Sequence, residues 1–118
     1  MGTEEYTIFE KMRLRRQYKS EINNLKIEID EYSSLNSGIK SLIENLRYCA
    51  NHVSSCYENI MVGIESEDLF VKFEKINEYS ANIKNHINLL ENKVQEINSK
   101  VTKCESGIVW YKEQLAKL

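Results

Sequence analysis

Few side chains in this sequence are of types that do chemistry. Histidine occurs twice, at His52 and His86, and cysteine three times, at Cys49, Cys56 and Cys104. A metal centre needs several such donors converging, and the spacings that bring two of them together, CxxC and HExxH, do not occur. In a hairpin pairing around residue 64 or 65, the fold reached below, His52 faces the region near residue 77. The two histidines therefore cannot share an ion, and both read as solvated surface residues. Cys49 and Cys56 stand two helical turns apart, about 10 Å by helix rise, too far for a disulfide between them. An odd cysteine count without CxxC reads as small apolar fillers in a reduced compartment. A Gly-rich phosphate loop and a nucleophile elbow are also missing. No catalytic residue, metal ligand or cofactor is assigned, and an enzyme is not expected.

Charge gives one local feature. Lys11-Met-Arg-Leu-Arg-Arg-Gln-Tyr-Lys19 is the single cluster, of a kind that can contact phosphate or an acidic partner. It reads here as a solvated helix face with salt bridges, with Glu105 and Glu113 opposite it. Sixteen basic and eighteen acidic residues leave a net charge of −2. That balance provides no general attraction to nucleic acid or to an anionic membrane.

The elements that carry these residues follow from what the chain lacks. Proline is absent and glycine occurs four times in 118 residues, so the punctuation that strands and tight turns require is missing. Helix is the expected state, in a single domain covering 1–118. No stretch approaches the roughly 18 apolar residues of a membrane span, and the opening MGTEEYTIFE has no basic region followed by an apolar one. Gly2 lacks the Ser or Thr that myristoylation prefers at its fifth position. A cytoplasmic product is expected, exportable only by a route that needs no cleaved signal.

A 4,3 apolar pattern organises both halves. It runs through Tyr18, Ile22, Leu25, Ile29, Tyr32, Asn36, Ile39, Ile43, Leu46, Ala50, Val53, Tyr57 and Ile60. It resumes at Leu69, Phe73, Ile76, Ser80, Ile83, Ile87, Leu90, Val94, Ile97, Val101, Cys104, Ile108, Tyr111, Leu115 and Leu118. A strict seven-residue repeat keeps a seam facing a partner when helices wrap left-handedly. The expectation is an all-α, long antiparallel two-helix hairpin, with helix 1 at about 5–61, helix 2 at about 67–117 and a turn near residues 62–67. Met61 and Gly63 mark that turn, with Gly63 suited to ending a helix and Ser66 to capping the next. At 1.5 Å per residue the arms should span roughly 75 to 85 Å. Ser33-Ser-Leu-Asn-Ser-Gly38 collects poor helix formers, and Ser37 or Ser41, the latter with Glu44, suits a restarted cap. The heptad phase continues across it, so a continuous or gently bent helix is favoured over a break. Gly107 is a lesser weak point, costing about 1 kcal/mol against alanine.

One row exceeds what a hairpin needs. With Ile22, Ile29 and Ile43 at a and Leu25, Ile39 and Leu46 at d, the g positions of the first arm read Leu35, Leu42, Cys49 and Cys56. This third apolar row widens the sticky face beyond what the second arm covers. Phe70, Val71 and Tyr79 add apolar area toward the turn, and Trp110 and Val109 lie outside the seam near residue 118. Leu35, Leu42, Cys49, Cys56, Phe70, Tyr79 and Trp110 are the candidate partner-binding residues.

The chain also resembles a known group. Tyr18-Lys-Ser-Glu-Ile-Asn-Asn-Leu-Lys-Ile-Glu-Ile, a Gly-containing central turn and Ile87-Asn-Leu-Leu-Glu-Asn-Lys-Val-Gln-Glu-Ile resemble the YwqH-like small helical proteins. These are encoded beside LXG-domain toxins of Gram-positive type VII secretion and are related in architecture to the WXG-type secretion partners. The likeness covers nearly the whole chain. Met61-Val62-Gly63 keeps the glycine of that group's Trp-x-Gly turn and lacks its tryptophan. Tyr111-Lys-Glu-Gln-Leu115 ends in leucine where a Tyr-x-x-x-acid export signal is expected. The resemblance implies a targeting chaperone that binds the helical N-terminal domain of an LXG toxin, with a second small helical protein supplying the signal.

Two other readings use the same seam. One is a self-associating structural coiled coil, most simply a homodimeric four-helix bundle. The other is a prefoldin-like or cytoskeletal adaptor hairpin.

Overall fold

The computed structural model describes residues 6–62 and 67–118. They form two helices, α1 (Ile8–Met61) and α2 (Glu67–Ala116), in an antiparallel all-α hairpin. Thr7 begins α1 with a capping box. Its hydroxyl accepts from the Glu10 amide at 3.1 Å, and the Glu10 carboxylate accepts from the Thr7 amide at 3.2 Å. Two amides that α1 itself leaves without partners are satisfied this way. Glu67 and Asp68 occupy the first turn of α2, where carboxylates suit the positive end of the helix dipole. Beyond α2 the chain closes with shorter-range bonds from the Lys117 and Leu118 amides to the Gln114 and Leu115 carbonyls.

The expected weak place does not interrupt α1, which runs through Ser33–Gly38 without a break. No glycine among the described residues has a positive φ. The part of the turn assigned to Gly63, and the cap assigned to Ser66, lie outside the described residues. Met61 is the last residue of α1. None of the described helices is long and apolar enough to cross a membrane.

Backbone contacts group the chain into two compact units, one comprising the described residues up to Leu35 with Ile97–Leu118, the other Asn36–Glu96. In the first, Ile22, Ile97 and Cys104 are buried. Cys104 donates to the Glu28 carboxylate at 3.3 Å, and Arg15 donates to the Leu118 carbonyl at 2.9 Å. Tyr18 meets Trp110 edge to face at 6.1 Å and Tyr111 at 5.6 Å.

In the second unit, Ile43, Ile87 and Val94 form the core, with Ile39, Leu46, Ile83 and Leu90 packed against them. The two polar members of the heptad series, Asn36 and Ser80, are both buried there. Ser80 donates to the Ala50 carbonyl at 2.9 Å, and its oxygen lies 2.9 Å from the Ser54 hydroxyl. With its own proton committed to Ala50, Ser80 is the acceptor toward Ser54. Every buried residue among those described belongs to one of the two heptad series.

A lopsided seam in the second unit

The two flanks of the Asn36–Glu96 seam differ in chemistry. In an antiparallel pair, e positions face e positions across one flank and g positions face g positions across the other. Arg47 and Glu91, both at e, form an ion pair from α1 to α2. Lys40, Glu44 and Gln95 line the same flank over Ile43 and Val94, and Lys84, Asn51 and Asn88 extend it. The core there is edged by charged and amide groups that solvent can hydrate.

The g flank has a different lining. Leu42 is 47% exposed and Cys49 and Cys56 are also exposed. On α2 the matching g positions are Lys72, Tyr79, His86 and Lys93, with Tyr79 65% exposed. No ion pair joins the helices on this flank among the described residues; the Lys93–Glu96 bridge, 3.2 Å long, stays within α2. Toward the turn the flank opens into a groove of about 200 Å³ lined by His52, Val53, Cys56, Tyr57, Ile60, Phe73 and Ile76.

His52 is fixed at the mouth of that groove. Its ring stacks on Tyr48 with centroids 6.0 Å apart and planes 4° apart, and its Nε2 lies 3.8 Å from the Cys56 sulfur. Tyr48, His52 and Cys56 follow one another at four-residue steps, which puts them on one face of α1. Tyr57 donates to the Glu74 carboxylate on the other helix. This hydrogen bond, followed by burial and the carboxylate's charge, pushes the Tyr57 phenol above its ordinary range. In the first unit the Cys104 thiol is pushed up as well, by burial first and then by its bond to Glu28. The described residues hold no group of three or more His, Cys, Asp and Glu side chains placed to hold a metal ion.

No protein family, curated protein or solved structure matches this chain.

All seven residues assigned to partner binding from the sequence are exposed. Leu42, Cys49, Cys56 and Tyr79 share the g flank of the second unit. Phe70 falls at an e position of the same unit, on the flank that Arg47 and Glu91 cross. Leu35 and Trp110 belong to the first unit, where Trp110 packs against Tyr18 and, at 5.0 Å, against Tyr111. The periodicity also missed something. Ile60, Leu69 and Ile76 continue the a and d series yet are exposed, whereas Ala50 and Ser80 in the same series are buried. A heptad pattern reports which residues face the partner helix and carries no signal for how closely the helices approach.

Proposed function

We propose that this protein is a non-enzymatic targeting partner that binds the helical N-terminal domain of an LXG-type toxin and promotes its export by type VII secretion. The observation that carries the reading is the g flank of the second unit. Leu42, Cys49 and Cys56 recur every seven residues and remain exposed, and Cys56 lines an apolar groove, while an ion pair crosses the opposite flank. Apolar residues at heptad spacing fit another helix, because its side chains arrive at the same interval. A helical toxin domain offers such a surface, and the likeness of residues 18–29 and 87–97 to the YwqH-like proteins selects that partner among helical ones. In this reading the protein acts in the cytoplasm before export, and a second small helical protein carries the signal that Leu115 breaks.

Co-expression with the toxin's N-terminal domain tests this directly. A complex that survives purification, containing one or more copies of each chain by mass, is the expected result. A stable homodimer with no affinity for the toxin domain would instead establish the four-helix bundle, which the same row could form by packing on its own copy around a twofold axis.

A further inference from the structure

The first three turns of α1 carry a face that neither the seam nor the proposed partner uses. Ile8 and Phe9 are 76% and 83% exposed, and Met12 is also exposed. Phe9 and Met12 line one surface groove, of about 310 Å³, together with Arg13 and Arg16. Helical spacing adds Ile8, four residues before Met12, and Lys19, three after Arg16, to the same side. Leu14 and Tyr18, half-buried, point the other way, toward the seam. Between Ile8 and Lys19 the sequence has five cations and one acid, Glu10, and that carboxylate is bound to the Thr7 amide. Arg15 is held by the Leu118 carbonyl. Among the described residues, Arg13, Arg16 and Lys19 have no acidic partner.

We propose that this face docks on an anionic lipid surface. Protruding apolar side chains and cations together distinguish a lipid surface from other anionic partners. A helix lying in the interface places its apolar side chains at the boundary of the acyl chains while its cations meet lipid phosphates. Phe9, Ile8 and Met12 supply the first and Arg13, Arg16 and Lys19 the second. A nucleic-acid surface would engage the cations and leave Ile8 and Phe9 in water. The overall charge of −2 does not oppose this, because screening confines each charge to about 10 Å at ordinary salt. The local surplus at the start of α1 is what a headgroup meets.

The full chain would be floated with phosphatidylcholine vesicles and with vesicles containing about 30% phosphatidylserine, a composition whose surface potential attracts basic segments. The expected result is flotation with the anionic vesicles only, reduced at least about tenfold in 0.5 M salt, where the screening length shortens. Phe9→Ser with Met12→Ser, and separately Arg13→Glu with Arg16→Glu, should each remove binding by about tenfold or more while helicity by circular dichroism is unchanged. Absence of binding to anionic vesicles at low salt would overturn the proposal. So would binding that both double variants retain, or retention of a single-stranded oligonucleotide without any vesicle binding.

Discussion

Ser80 donates its hydroxyl to the Ala50 carbonyl across the seam at 2.9 Å, and both residues are shut off from solvent, at 1% and 0% exposure. A hydroxyl in a seam position would be a liability without this bond. Here it joins α2 to the backbone of α1, and the methyl of Ala50 leaves room for the approach. The bond fixes the register of the second unit at one point, and the packing of Ile43, Ile87 and Val94 supports it.

Altering either residue should therefore harm folding. Ala50→Leu forces a branched side chain into a site with no space and should lower stability by about 1 to 3 kcal/mol, read as a lower urea midpoint. Ser80→Ala loses the cross-helix bond but leaves the Ala50 carbonyl within α1, so a loss of about 0.5 to 1.5 kcal/mol is expected.

The glycines separate two environments. A Cβ at Gly38 would meet nothing within 4 Å, whereas one at Gly107 would come within 3.0 Å of the Leu25 Cδ1. Gly38→Ala should stabilise α1 by about 0.5 to 1 kcal/mol through helix propensity alone. Gly107→Ala should gain less, because the end of Leu25 must move aside. Thermal melts of the two variants would compare them.

Tyr57 and Cys104 predict an alkaline weakness. Both groups titrate higher in the folded chain than when unfolded. A raised folded value means that their stabilisation is complete below the ordinary thiol and phenol ranges, about pH 8.5 and 10. It is lost as pH rises through the folded values. Urea midpoints should therefore fall as pH rises above the ordinary thiol and phenol ranges. They should fall less in a Tyr57→Phe, Cys104→Ala double variant, which has neither group to ionise.

Much of the fold was legible because the seam is written in one repeating alphabet. Both helices, their ends to within a few residues and the burial of Asn36 and Ser80 follow from the phase of the 4,3 series. The continuity of α1 past Ser33–Gly38 also followed from phase, since Asn36, Ile39 and Ile43 stay on the seam despite poor local propensity. The capping box of Thr7 and Glu10 is written in the Thr-x-x-Glu spacing that precedes the apolar series. The flank on which each extra apolar residue falls was harder. Phe70 and Tyr79 look alike in sequence, but one follows a d position and the other precedes an a position, which puts them on opposite flanks of α2, and the antiparallel pairing decides which row of α1 each one meets. The Tyr48, His52 and Cys56 stack depends on side-chain rotamers, which periodicity does not encode.

The central claim is that the g flank of the second unit receives a helical partner. Titration of the helical domain of the proposed toxin partner into variants of the two flanks tests it most directly, with helicity checked in each. Leu42→Glu with Cys49→Glu places charge on the apolar row and should weaken binding by at least about a hundredfold, since two buried carboxylates would lack partners. Arg47→Glu, on the flank of the Glu91 ion pair, should leave affinity within about threefold. Unchanged binding in the Leu42, Cys49 variant, or loss in the Arg47 variant alone, would contradict the account.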